Sequence, residues 1–115
     1  MLCTMEQIEL DDGSADRYLL DAPGNSLLVF YSRTCATCRV ARQTLPTLEL
    51  PADRLCWIDA GASGGLVQRY EVFHLPSIFM VRDGVFYGAV NASLEAWDLR
   101  MQIRLALDSY PAELP

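Results

Sequence analysis

The sequence predicts an α/β fold, a three-layer sandwich of helices around a mixed central sheet, and three observations carry the prediction. Leu27-Leu28-Val29-Phe30-Tyr31 is continuously apolar and rich in β-formers, the pattern of a strand buried on both faces. Helical segments alternate with strands between Ala15 and Val72, which implies crossover connections and a parallel core. Further on, two strand-like runs flank Asp83-Gly84, a type I′ hairpin signal that adds an antiparallel edge. The expected order is β-α-β-α-β-α-β-β-α.

The elements follow in turn. Met5 to Leu10 reads as a first strand, closed by the turn-prone Asp11-Asp12-Gly13-Ser14. Ser14 is placed to cap a helix over Ala15 to Ala22, which Pro23-Gly24-Asn25 stops. Ser26 to Ser32 is the central strand. Cys35 to Leu45 reads as a helix with Val40 and Ala41 turned to the core, its exit bracketed by Pro46 and Pro51. Leu55 to Ala60 is a third strand, Gly61 to Gly65 a flexible loop, and Leu66 to Val72 about two helical turns. Ser77 to Arg82 and Val85 to Val90 form the hairpin. The last helix, Ser93 to Leu107, sets Leu94, Trp97, Met101 and Leu105 along one face, which is taken as its packing face.

At 115 residues, 51% hydrophobic and 21% charged, the chain is expected to be a single domain over 1–115 with a real core. No repeat, linker or low-complexity tract divides it. A net charge of -6 argues against nucleic acid as a partner, because a basic face would be needed. All nine basic residues are arginine, and no functional meaning attaches to that. No apolar run approaches the ~20 residues that cross a bilayer, so no membrane partner is expected. The first residues lack a basic n-region and an apolar h-region, which points to the cytoplasm. In a reducing compartment four cysteines are not a disulfide framework. Cys3 reads as an exposed thiol and Cys56 as a small buried side chain; Cys35 and Cys38 form a C-x-x-C.

Two cysteines three apart on a first helical turn have Cβ atoms about 5–6 Å apart on one face, close enough for a disulfide. Unpaired N–H groups at the helix start favour a thiolate on Cys35, while Cys38, one turn inside, is the resolving thiol. The spacing makes the second attack intramolecular, so a mixed disulfide is short-lived. Between Ala22 and Leu48 there is no acid, but there are Arg33, Arg39 and Arg42, so Arg33 and Arg39 flank the thiols with positive charge. Half a zinc site is the competing chemistry, but no second ligand pair has suitable spacing and no metal is expected. Incidental packing of two small residues at a helix start is the other alternative. Pro76 in Leu75-Pro76-Ser77 stands at the first position of a strand; a trans bond is the ordinary reading there, and the upstream C-x-x-C turns the expectation to cis.

These ordered elements resemble the thioredoxin family: Leu27 to Tyr31 before Cys35-Ala36-Thr37-Cys38-Arg39, then Trp57-Ile58-Asp59, Tyr70-Glu71-Val72, and Leu75 through Gly84. The resemblance covers roughly residues 27 to 107. It implies a thiol–disulfide oxidoreductase with Cys35 as nucleophile, Cys38 as resolving thiol and Pro76 as the cis-proline of a substrate groove. Thr34, Ala36, Thr37, Leu75 and Pro76 would contact protein disulfide substrates. Several positions depart from the family pattern. Neither the tryptophan nor the glycine–proline pair of the usual motif is present, and such changes move redox potential within a range of roughly 150 mV, about 7 kcal/mol. The usual buried aspartate is Val29, its lysine companion is Cys56 or Trp57, and Gln43 stands where a helix proline falls.

His74, two residues before Pro76, is either a proton relay that tunes the thiols or an ordinary loop histidine. Tyr31 borders the groove or belongs to the core; Trp57 and Trp97 are expected to pack. With no G-x-G-x-x-G and no flavin signature, no cofactor is expected, and electrons must come from an external reductase or a small-thiol donor. A monomer is expected. The competing function is a docking module of the same shape whose cysteines are idle or regulatory.

Overall fold

The computed structural model describes residues 5–115; Cys3 lies outside them. Five strands, β1 (Glu6–Leu10), β2 (Asn25–Tyr31), β3 (Arg54–Asp59), β4 (Ser77–Arg82) and β5 (Val85–Ala89), form one sheet in the order β1-β3-β2-β4-β5. β1, β3 and β2 are mutually parallel; β4 and β5 run antiparallel to their neighbours. Helices α1 (Ala15–Asp21), α2 (Ala36–Thr44), α3 (Gly64–Arg69) and α4 (Ala96–Leu107) complete the chain, with a single 3₁₀ turn at Leu45–Thr47 carrying Pro46. The mixed sheet and the element order are those read from the sequence.

Strand alternation divides the interior in two. Leu27 and Val29 of β2, Leu55 and Trp57 of β3, and Ile78 and Met80 of β4 face α2 and α4, where Ala41, Leu45, Leu99 and Ile103 meet them. Leu28, Phe30, Cys56, Ile58, Phe79 and Val81 face the other way, against Ala15 and Leu19 of α1, Leu66 of α3 and Tyr70 just after it. Central β2 is covered on both sides, which is why its sequence shows no polar alternation.

The β4–β5 turn has φ of 52° at Asp83 and 77° at Gly84, both in the left-handed region that a type I′ turn requires. A Cβ on Gly84 would sit 3.0 Å from the Leu20 carbonyl oxygen, so space as well as backbone angle selects glycine there. Past the hairpin the chain returns to the outer edge of β5. Phe86 and Ala112 exchange N–H···O bonds of 2.8 Å in both directions.

Four expectations need correction. Ser14 stands at the α1 N-cap position but makes no capping bond; its hydroxyl instead accepts from the Asp11 amide and donates to the Asp11 carboxylate, closing the preceding turn. Cys35 is the N-cap of α2 rather than its first residue, and Val40 is exposed while Ala41 packs. On α4 the packing face is Leu99, Ile103 and Ala106; Trp97, Met101 and Leu105 lie on the opposite, solvent side, and Leu94, before the helix, is half-buried. Trp97 is therefore not a packing residue, whereas Trp57 is fully buried.

Candidate functional site

The end of β2 delivers the chain through Ser32, Arg33 and Thr34 to Cys35, whose extended backbone (φ -91°, ψ 117°) turns its side chain back over the first turn of α2. The Cys38 amide donates to Cys35 Sγ at 3.2 Å. The sulfur thus occupies the place of an N-cap oxygen, where unpaired amides and the helix dipole favour negative charge. Hydrogen bonding from the Cys38 thiol holds the Cys35 pKa below its ordinary value, with smaller help from the Cys38 and Thr37 amides and the charge of Arg39. Cys38 shows the opposite shift. It is buried, and desolvation together with the Cys35 contact pushes its pKa up to about 11. Both are free thiols, one half-exposed and one buried.

The loop before β4 closes the other side. The Leu75–Pro76 peptide bond is cis. The Leu75 carbonyl lies 3.9 Å from Cys35 Sγ and accepts from the thiol. A groove of about 790 Å³ runs from Thr37 past Phe73, His74 and Pro76 to Leu94. Thr34, Ala36 and Thr37 are exposed around Cys35, and Thr34 Oγ1 sits 3.0 Å from Ser32 Oγ.

On the other side of Cys38 lies a second pocket, of about 700 Å³, bordered by Tyr31, Arg42, Glu9 and Asp59. The Arg42 guanidinium stacks over Tyr31 at 4.7 Å and Trp57 at 4.6 Å and pairs with the Glu9 carboxylate, which also accepts from the Tyr31 hydroxyl at 3.2 Å. Arg42 Nη1 is buried with no acceptor among the described residues, and the two ring faces stand in for one. Among those residues no group of three or more His, Cys, Asp or Glu side chains is placed to hold a metal.

No protein-family model matches the sequence, and no curated protein matches it. Solved structures do. The chain is similar to thioredoxin from Trypanosoma brucei brucei, with a TM-score of 0.72 and 17% identity over 93% of this chain and 96% of that one. It is similar to mitochondrial thioredoxin 3 from Saccharomyces cerevisiae in its oxidized form, with a TM-score of 0.71 and 21% identity over 84% of this chain and 92% of that one. The chain has the thioredoxin fold. It also matches the zinc-bound form of human ERp44, with a TM-score of 0.70 and 16% identity over 90% of this chain, but spans only 30% of that chain.

Within this thioredoxin fold, Cys35, Cys38, Leu75 and Pro76 come together, with Thr37 and His74 along the groove. Arg33 does not join them: its side chain is 84% exposed and its guanidinium reaches to Asp59 at 3.4 Å, away from Cys35. Arg39 alone of the flanking arginines acts on Cys35, and weakly. His74 is exposed and holds the loop locally, its Nδ1 3.4 Å from the Ser77 hydroxyl. Val29, where the family carries an acid, is sealed between Trp57 and Ile78 of the neighbouring strands. Sequence reasoning missed Phe73, 89% exposed beside the groove, and gave no role to Asp59. Counting strand parity from Trp57 would have put Asp59 on the α2 side of the sheet.

Proposed function

We propose that this chain is a thiol–disulfide oxidoreductase that exchanges the Cys35–Cys38 dithiol with protein disulfides. The observation that carries the reading is the asymmetry of the pair. Cys35 is half-exposed, bonded by the Cys38 amide and lowered in pKa, whereas Cys38 is buried and held protonated near neutral pH. A nucleophile that ionises readily, next to a thiol that acts only after it, is the arrangement disulfide exchange needs. Cys35 attacks a target disulfide and expels one target thiolate. Cys38 then displaces the second, leaving a Cys35–Cys38 disulfide and a reduced target.

The groove beside Pro76 would take the target backbone, with Leu75, Thr34, Ala36 and Thr37 at its rim. Electrons would arrive from an external reductase or a small thiol, and the chain would act as a monomer in the cytoplasm. A redox titration in graded dithiol buffers, read by alkylation and mass spectrometry with Cys35→Ser and Cys38→Ser variants, tests the proposal. A reversible two-electron transition, with Cys35 the fastest thiol to alkylate at neutral pH, is expected. Two ordinary thiols with no reversible internal disulfide would leave the docking-module reading, which buried Val29 favours.

A further inference from the structure

The second half of that reaction poses a problem of its own. Cys38 must lose a proton to attack the mixed disulfide, yet it is 1% exposed. Val29, which stands on β2 where the thioredoxin family carries an acid, is buried and can accept nothing.

The pocket on the far side of Cys38 supplies what Val29 lacks. Cys38 and Ser32, the residue that follows β2, both line this pocket. Tyr31, one residue earlier, is the register partner of Asp59 on β3, and the Ala60 amide bonds the Tyr31 carbonyl at 2.8 Å. Leu55, Trp57 and Asp59 share one face of β3, and that face is the one α2 covers. The Asp59 carboxylate therefore stands on the α2 side of the sheet, and it borders the same pocket as Cys38.

Six other titratable or charged groups face this pocket: Arg33 from the loop before α2, Arg39 and Arg42 from α2, Tyr31 from β2, Glu9 from β1 and Asp11 after it. Glu9 is fully engaged by Arg42 and the Tyr31 hydroxyl. Asp59 is looser. One oxygen accepts from the Gly61 amide at 2.9 Å, and the other has only a 3.4 Å contact with a guanidinium that is 84% exposed. With its side chain 22% exposed, it is sheltered yet open to water within the pocket.

We propose that Asp59 is the proton acceptor for Cys38 during resolution of the mixed disulfide, acting through pocket water. This deepens the oxidoreductase reading and rests on it. As the Cys38 thiol gives up its proton toward Asp59, its sulfur attacks Cys35 Sγ. The Cys35–Cys38 bond forms, the bond from Cys35 to the target breaks, and the electron pair leaves on the target thiolate. The proton held by Asp59 then returns to that thiolate or to solvent. Two electrons pass from the dithiol to the target, and no other oxidant or reductant enters.

The test is a stopped-flow reaction of the reduced Cys3→Ser protein with an aryl disulfide whose released thiolate is coloured. Attack by Cys35 releases one coloured thiolate and attack by Cys38 a second, so the two steps are read separately. Asp59→Asn should leave the first phase unchanged and slow the second at least about tenfold at neutral pH, the lower end of what a positioned base contributes. The slow phase should recover as pH rises and hydroxide replaces the carboxylate. Asp59→Glu should restore much of the rate, and Glu9→Gln should leave both phases alone. An unchanged second phase in Asp59→Asn, or equal slowing of both phases, overturns the proposal. Absence of any second phase in the Cys3→Ser parent would instead overturn the oxidoreductase reading.

Discussion

Arg42 shows how much one side chain can organise. Its guanidinium covers two nearly perpendicular rings, Tyr31 and Trp57, and pairs with Glu9, so α2, β1, β2 and β3 meet at one residue. Arg42→Ala should cost about 1–3 kcal/mol in urea unfolding, from two partly desolvated cation–π contacts and one exposed ion pair. The alkylation rate of Cys35 should be unaffected, since Arg42 is not among the groups that shift it. The pH dependence of that rate follows from the sign of the Cys35 shift. The thiolate persists below the ordinary thiol range and is lost only as pH falls through the lowered value, so Cys35 should still alkylate where a free cysteine no longer does. The cysteine pair was legible because its chemistry lies in a three-residue spacing on one helical turn. The contacts of Arg42 were not, because they depend on register between strands far apart in sequence, and for Asp59 strand parity gives the face but not the neighbours on it. Arg33 was misjudged for the same reason: a neighbour in sequence had its partner, Asp59, on another strand.

Elements were read best where local chemistry decides them. The Asp83-Gly84 turn and the strands on either side of it were visible because positive φ at two consecutive positions selects few residues. Gly84→Ala should destabilise the protein by roughly 1–3 kcal/mol, from strain at φ 77° and a Cβ 3.0 Å from the Leu20 carbonyl, measured by thermal or urea unfolding. Helix α4 was harder because it carries two apolar stripes. Trp97, Met101 and Leu105 satisfy helical spacing as well as Leu99, Ile103 and Ala106 do. What sets the phase is the entry to the helix. The Asp98 carboxylate turns back to bond the Ser93 amide at 2.8 Å and its hydroxyl at 3.1 Å, and Leu94 docks on the core ahead of the first turn. Leu99→Ala should therefore cost ~2–5 kcal/mol, while Trp97→Gln should stay within about 0.5 kcal/mol in the same assay.

On the scale of the whole molecule, the core between the sheet and the α1/α3 layer buries groups that resist ionisation. Burial pushes Cys56 from 9.0 up to about 12 and Tyr70 from 10.0 up to about 12. A raised pKa in the folded state means that the unfolded chain releases its proton first, so stability is intact below about pH 9 and falls between about pH 9 and 12. Cys56 alone accounts for at most about 4 kcal/mol of that fall. Urea midpoints should be level from neutral pH to the edge of this window and then drop, and Cys56→Ala should flatten part of the drop. A fall that begins near neutrality would contradict the assignment. The α/β class itself was legible because a buried parallel sheet writes long apolar runs into the chain, whereas which helix face and which charge meet whom is settled only when the layers close.

The return of the chain along β5 has a bearing on behaviour at high concentration. A bare outer strand offers its N–H and C=O groups to any other strand, and β5 is short, half-buried and carries Val85, Phe86 and Tyr87. Ala112 occupies both hydrogen-bonding groups of Phe86, and β1, at the opposite margin, carries Glu6 and Glu9. Edge-to-edge association is thus opposed at Phe86 by backbone pairing and at Glu6 by charge. Ala112→Pro removes one of the two bonds at a single position. It should turn a clear stock into one that scatters light increasingly with concentration, well before any loss of thiol chemistry.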